Sequence, residues 1–506
     1  MLAALPIAVI LLLMIGLRWS AARAGSVGLA VALLLAWFVY GLGTERMPEL
    51  GWAASAAGAM AEAVFTAATI LWIIFPALCI HELQTRTGGL DVLKQAMGRV
   101  AGDPRIMALL VAWFFVLFVE GAAGFGTSAA LAAPFLVSAG FTRVAAVSIA
   151  MIGHAVGVSF GAVGTPVLPQ LAASTYSPVE IAAATANYHV MLGWMMPAVV
   201  MWLATRVLPG GSGRPLWTWS ALAAISFLVP FYLLAHFVGP ELPTLAGALL
   251  GAAIFIMVLQ RRSGDSQNAV PVADTMAVKG RSGLLRAAAP YLVLIALVVI
   301  TRLIPPVQEA LRAVTISWQV AGFGGNMQIL YHPGTMLVLS FLIGAMVQKA
   351  SLGDIGQTML SVARKMLPVL IALIAMLGLS RIMVHAGMID ALALAAASSA
   401  GEFWPLFVPL IGALGTFVTG SATASNILFT GFQVAAAEQL GFSVLALIAA
   451  QGVGAAIGNI TCPHNIVAAS ATVQLVGREG EVLRQTATIA LIYILLAGLL
   501  AWLVFA

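Results

Sequence analysis

Residues 119–137 read VEGAAGFGTSAALAAPFLV. One acid, three glycines (Gly121, Gly124 and Gly126) and two hydroxyl side chains (Thr127 and Ser128) interrupt sequence that is otherwise apolar enough to cross a bilayer. Irregular backbone at membrane depth is tolerated only where protein or a water-filled cavity satisfies its polar groups. A glycine-rich break also frees amides at the start of the following helix, where the dipole is positive. Such an end holds a carboxylate without a dedicated arginine. Close helix packing through small residues is the other reading of one break. Glu120, at the entrance, is costly at this depth unless paired or protonated. It reads either as a proton carrier or as a structural glutamate bonded to backbone amides or an arginine.

The rest of the chain sets the context. Of 506 residues, 62% are hydrophobic and 8% charged, whereas soluble domains carry about 25% charged residues. Apolar runs of spanning length recur from end to end, and the ten-residue alternation of an outer-membrane barrel is missing. The sequence therefore predicts an all-α polytopic membrane protein with about 12–14 transmembrane helices. A net charge of +5 does not call for nucleic acid, because basic residues belong in cytoplasmic loops. Cys79 and Cys462 lie far apart in apolar surroundings and suggest neither a disulfide framework nor a metal site. The N-terminal run lacks a basic leader, and Arg18 and Arg23 follow it, so a retained first span with its N-terminus outside is expected.

Loop charges orient the chain. Loop 82–105 carries Arg86, Lys94, Arg99 and Arg105, stretch 260–286 carries five basic residues, and Lys349, Arg364 and Lys365 mark a further loop. These belong inside, which puts 44–50, 170–184, 238–241 and 305–332 outside, together with both termini, provided that the short segment 333–347 spans.

An internal duplication then emerges. TGGLD (87–91) resembles AGMID (386–390), GAAGFGT (121–127) lines up with GSATASN (420–426), Gly140-Phe141 with Gly441-Phe442, and GAVGTP (161–166) with GNITCP (458–463). The offsets are 299, 299, 301 and 297 residues, one register over most of the segment. Loop 82–105 is basic and its counterpart 385–404 carries Asp390 and Glu402, so the two copies face opposite sides. Inverted repeats with interrupted helices at the midplane are the architecture of secondary transporters. The second break offers Thr419, Gly420, Ser421, Thr423, Ser425 and Asn426 as donors for a small polar anion.

A second pair of elements, 153–169 and 451–470, carries His154, Thr165, Asn459, Thr461, His464 and Asn465, and Pro166 and Pro463 end or bend helices there. Asn459, Thr461 and Asn465 are candidate substrate contacts. Glu120, His154 and His464 are the candidate proton-coupling groups, since a buried acid and a histidine both titrate in a useful range. Each histidine also reads as a hydrogen-bonded packing residue, and His464 as a helix cap. Glu241 in GPELP (239–243) reads as solvent-exposed or as a structural anchor, and Glu62 and Arg381 as span-end residues that snorkel. No Walker loop, HExxH or GxSxG is present, so the sequence does not read as an enzyme, and no cofactor or metal is expected.

At these residues the chain resembles the lactate permease family: Glu120 with GAAGFG, VSFGAVGTP (158–166), GPELP, TGSATASN (419–426) and the tail NIVAASATVQLVGREGEVLRQT (465–486). The resemblance implies proton symport of a small 2-hydroxymonocarboxylate, lactate or glycolate, through the bacterial inner membrane. It further implies an elevator-type transporter, with a scaffold, a moving transport domain and re-entrant hairpins. The expected division is an N-terminal hairpin 1–59, a first repeat 60–206, connecting helices 207–357 and a second repeat 358–506. The partners are then the organic anion, the proton and membrane lipid, with a homodimer by analogy alone. The family often has an aspartate where this chain has Ala422, and Ser-Pro-Gln where it has Cys462-Pro463-His464. The alternatives are a sodium-coupled carrier of another organic anion, a dicarboxylate or sulfonate, and a non-accumulating channel.

Overall fold

The computed structural model describes residues 2–17, 19–92, 103–124, 127–207, 215–262, 280–475 and 478–505. Eleven helices among them are long and apolar enough to cross a membrane, and four shorter apolar helices accompany them. The chain is a multi-pass α-helical membrane protein.

The first half opens with α1 (Leu5–Gly16), α2 (Ala21–Phe38) and the long α3 (Gly51–Arg86). The hairpin α4 (Pro104–Ala122) and α5 (Thr127–Ser138) follows, then α6 (Arg143–Gly153) and the broken α7 (Ala155–Ala172). Helices α8 (Pro178–Leu192) and α9 (Met195–Val207) close this unit. A helical pair, α10 (Trp217–Phe237) and α11 (Pro243–Arg262), is inserted next. The second half runs through α12 (Gly280–Leu303), the short α13 (Pro305–Arg312), strands β1 (Ile316–Val320) and β2 (Phe323–Met327), α14 (Pro333–Val347) and the long α15 (Leu352–His385). It then repeats the earlier pattern as α16 (Met388–Ala400), the hairpin α17 (Trp404–Thr419) and α18 (Ala422–Leu440), α19 (Val444–Gly458), α20 (Pro463–Thr472) and α21 (Glu479–Leu500).

Equivalent glycines mark the two repeats. Gly88 and Gly387, just beyond α3 and α15, both take φ +70°, and Gly140 and Gly441, after α5 and α18, take +97° and +74°. A side chain at these left-handed positions is strained. The inversion shows where α3 meets its counterpart α15. Arg86, near the end of α3, reaches Gln357 near the start of α15 (3.2 Å), and Lys365 pairs with Glu82 (2.8 Å). At the other end Glu62 meets His385 (2.9 Å). The two helices therefore run antiparallel, as a pair related by an axis in the membrane plane must.

The structure decides between the two readings of Glu241 and corrects a third expectation. Glu241 is a structural anchor and not solvent-exposed: the GPELP turn between α10 and α11 is buried, and Glu241 (4% exposed) holds Arg302 at 2.7 Å. Glu62 and Arg381 do not snorkel outward. Glu62 Oε2 lies 2.9 Å from His385 Nε2 and 3.9 Å from Arg381 Nε, and its Oε1 accepts from the Gly324 amide at 3.0 Å. Segment 305–332 is also more than a loop, holding α13 and the antiparallel hairpin β1–β2. Its glycine-rich second strand, FGGNM, lies against α3, with Gly325 too close to Phe65 and Trp318 to carry a side chain. We refer to this end of the molecule as the hairpin face. Glu62→Ala should loosen the hairpin by about 1–3 kcal/mol, the cost of leaving buried donors unpaired. Limited proteolysis at residues 316–327 checks this, with faster cleavage than in the wild type expected.

Candidate functional site

The tips of the two hairpins converge. At the first, α4 ends at Ala122 and Gly124 turns with φ +63°. At the second, α17 ends on Gly420 (φ +77°) and Ser421 caps α18, its Oγ accepting from the Ala424 amide at 3.3 Å. A third element enters between them. In α7 the backbone turns left-handed at Ala162 (φ 44°), Val163 (φ 56°) and Gly164 (φ 80°) before helix resumes at Thr165. That conformation costs roughly 1–2 kcal/mol for each residue bearing a Cβ. Strain of this kind persists where the surrounding structure over-determines it, and it concentrates at functional sites.

Together these elements line a small, partly open cavity of about 30 Å³. Glu120 and Gly124 contribute from the first hairpin, Gly420, Ser421, Ala422 and Thr423 from the second, and Asn459 from the end of α19. Val158, Gly161, Ala162, Thr165 and Pro166 of α7 complete the lining. The first turn of α18 thus faces the cavity, with the amides of Ala422 and Thr423 at a helix N-terminus where an anion is favoured. Among the described residues, no Lys or Arg lines the cavity.

Glu120 is 2% exposed, and its Oε2 accepts from Ser128 Oγ at 2.8 Å. Among the described residues it has no Lys or Arg partner. Its other oxygen sits where only glycine fits, because a Cβ on Gly161 would lie 2.8 Å from Oε1. His154 is fully buried, with Nε2 2.9 Å from Asn459 Oδ1 and Nδ1 3.4 Å from the Ala150 carbonyl. Both ring nitrogens therefore face oxygen atoms, an arrangement able to hold a proton at either. Asn465 Nδ2 donates to the same Asn459 Oδ1 at 2.8 Å, which fixes the amide at the cavity wall.

Other sequence candidates serve the walls. Gly121 packs on α11, where a Cβ would come within 2.5 Å of the Leu245 amide nitrogen. Thr419 Oγ1 knits its own tip, donating to Gly415 O (2.8 Å) and Ser421 O (3.1 Å). Ser425 Oγ donates to Gly412 O at 2.7 Å and accepts from Gln451, tying α18 to α17 and α19. Asn426 Nδ2 donates to the Pro166 carbonyl at 2.9 Å and so joins the second hairpin to the α7 break. Thr461 Oγ1 donates to Gly458 O at 2.9 Å. Thr127 opens α5 and His464 lies in the first turn of α20. Their side chains, and Gly126 as a whole, lie outside the described residues.

Sequence reasoning missed Gly161, Ala162 and Pro166 as cavity walls, although GAVGTP had been noticed as a repeat marker. It also missed a buried chain behind α7. Ser159 Oγ lies 2.8 Å from His189 Nε2, and His189 Nδ1 lies 2.9 Å from Tyr493 OH, which links α7, α8 and α21. Nothing in the run NYHVML marks His189 as a link.

The model of the L-lactate permease family matches residues 1–325 and 319–506. The chain belongs to the L-lactate permease family. Among relatives in that family, the L-lactate permease of Streptococcus iniae is 30% identical over 380 residues, covering 73% of this chain and 78% of the relative. The glycolate permease GlcA of Escherichia coli K12 is 28% identical over 547 residues, covering 98% and 94%. Among solved structures, MtrF of Neisseria gonorrhoeae superposes with a TM-score of 0.51 at 13% identity, covering 96% of both chains, a likeness of fold alone. Against the family's pattern, Ala422 is informative. Ala422 lines the cavity, and among the described residues Glu120 is the one acid in the lining.

Proposed function

We propose that this permease is a proton symporter of a small 2-hydroxymonocarboxylate, lactate or glycolate, in the bacterial inner membrane. The names of its relatives supply the substrate class. The observation that carries the reading is the cavity itself: two hairpin tips of opposite orientation meet at a buried acid and a helix N-terminus, with no Lys or Arg among the described lining residues. A monocarboxylate fits that charge balance. A dicarboxylate, bringing two negative charges, ordinarily calls for positive charge that this lining lacks.

In this mechanism the substrate carboxylate accepts hydrogen bonds from the Ala422 and Thr423 amides, and its hydroxyl meets Asn459 or Thr423. Glu120 takes a proton as the anion enters, so one positive and one negative charge load together and the cavity carries the same charge loaded as empty. His154, held to Asn459, relays or shares that proton. Residues 60–206 and 358–506 act as the paired repeats, with 1–59 and 207–357 framing them, and motion of the paired tips exposes the cavity to each side in turn. The termini and the hairpin face lie on the periplasmic side, and a homodimer embedded in lipid is the working assembly.

Counterflow in proteoliposomes tests the reading. Vesicles preloaded with unlabelled lactate should take up labelled lactate transiently. Glycolate should compete strongly, and succinate and alkyl sulfonates weakly. Accumulation should follow an imposed pH gradient and ignore sodium. Sodium-dependent uptake, or succinate competing as well as glycolate, would overturn it.

A further inference from the structure

We propose that the permease has a second, outer anion-binding site in a vestibule on the hairpin face, which captures the substrate carboxylate before it reaches the central cavity. This deepens the function proposed above and rests on it. The vestibule is a cavity of about 890 Å³ between α3, the α7 break, the GPELP turn, α13 and β2. Three guanidinium groups line it, those of Arg302, Arg312 and Arg381; Glu241 in the lining answers Arg302, and Glu62 behind the wall lies 3.9 Å from Arg381, which leaves Arg312 without a carboxylate among the described residues. Clefts lined by one sign of charge focus the field and concentrate counter-ions.

Its architecture is fixed rather than incidental. Arg302 is held by Glu241 (Nη2 to Oε1, 2.7 Å) and by the Tyr331 carbonyl (3.1 Å). Its guanidinium lies 3.7 Å from the centroid of the Tyr331 ring, and that of Arg312 lies 4.5 Å from it. Arg312 Nη2 also donates to Tyr331 OH at 3.1 Å. One aromatic ring therefore holds two like charges close together, and Glu241 answers only one of them. Arg312 is exposed on the vestibule side.

The second observation is independent of charge. His332, next in sequence, lines the same vestibule and is only 9% exposed. Its Nδ1 accepts from the Gly334 amide at 3.3 Å, so Nε2 bears the hydrogen. Burial, and then the charge of Arg302, hold the ring's pKa down to about 4, so it stays neutral at ordinary pH. Among the described residues that Nε2 has no hydrogen-bond partner. A buried donor without an acceptor, in a cavity that Arg312 also lines, is a place for a carboxylate.

The location fits a path inward. The vestibule reaches Val163 and Gly164, whereas Ala162 and Thr165 on either side of them line the central cavity. The left-handed turn Ala162–Gly164 is therefore the wall between the two chambers, and an anion held at Arg312 and His332 waits outside it.

The test is initial-rate uptake of labelled lactate in neutral phosphatidylcholine proteoliposomes, measured separately from each face. Arg312→Gln and His332→Asn (which keeps a side-chain cap for α14) are the variants. Uptake from the hairpin face should show KM raised roughly tenfold, with KM from the opposite face unmoved. The wild-type KM from the hairpin face should rise with added potassium chloride; Arg312→Gln should weaken that dependence, and His332→Asn, which removes no charge, should keep it. Unchanged KM from the hairpin face, or an equal shift from both faces, would overturn the proposal. Wild-type vesicles that take up no lactate would count against the function above. The vestibule is then read by binding of ¹³C-lactate, followed by NMR, to the protein in nanodiscs of the same lipid. Weaker binding by Arg312→Gln supports the site, and equal binding overturns it.

Discussion

Glu120→Gln is expected to abolish proton-driven accumulation while leaving lactate exchange in place. In an electroneutral symport of one proton with one monocarboxylate, each unit of pH gradient is worth about 1.36 kcal/mol, a tenfold concentration ratio. With an inside-alkaline gradient of about two units, wild-type vesicles should therefore concentrate lactate toward roughly a hundredfold. The glutamine keeps the size of the side chain and can still bond to Ser128, but it cannot release or take up a proton. Its accumulation ratio should stay near one at every gradient, while counterflow, which needs only binding and movement of the loaded carrier, persists. The separation is clean in this chain because, among the described residues, Glu120 is the one acid lining the cavity and Ala422 stands at the start of α18. Gradient-driven accumulation by Glu120→Gln at the wild-type level would remove Glu120 from the coupling mechanism.

The second large effect concerns how the hairpins are held. Gly153 on α6 lies against the Ala112 carbonyl of α4, and a Cβ there would overlap it. The same crossing recurs in the other repeat, where a Cβ on Gly454 of α19 would overlap the Pro409 carbonyl of α17. In both cases the obstacle is backbone within a helix, which cannot turn aside as a side chain would. Apolar helices in lipid gain little from hydrophobic burial against one another and rely on such close packing. Gly153→Val or Gly454→Val should therefore cost about 3 kcal/mol or more, the upper end of overpacking penalties. Thermal unfolding in detergent checks this, with Gly356→Ala as the control, since nothing lies within 4 Å of a Cβ at that position. Unfolding temperatures for Gly153→Val and Gly454→Val matching the control would contradict the assigned helix crossings.

Much of the architecture was legible because it is written in local breaks. Gly88 and Gly387, or Gly140 and Gly441, end helices for a backbone reason that one residue carries by itself, so their constant spacing exposes the duplication. Loop charge then exposed the inversion. What lies across a break is not local, and there the sequence was a poor guide. Gly121 and Gly124 look alike in the string, yet one makes room for α11 and the other turns the tip into the cavity. Ser421 and Ser425 are four residues apart on one helix, and only the first faces the cavity, because α17 and α19 take up the second. The left-handed turn at Ala162 and Val163 was invisible, since neither residue favours that conformation and the surrounding packing imposes it. The β-hairpin escaped notice because FGGNM has neither alternation nor β-branched residues. The partners of Glu62 and Glu241 were not legible for a related reason: His385 and Arg302 lie 323 and 61 residues away in sequence.

The central claim, that the anion sits between the two hairpin tips, is tested most directly by substrate protection at the cavity wall. Thr423→Cys would be introduced with Cys79 and Cys462 replaced by serine, and a small thiol reagent would be timed against it with and without lactate. At a lactate concentration ten times Kd, alkylation should slow by about tenfold, as occupancy alone dictates, and succinate at equal concentration should not slow it. An alkylation rate indifferent to saturating lactate, in protein that still transports lactate, would place the binding site elsewhere.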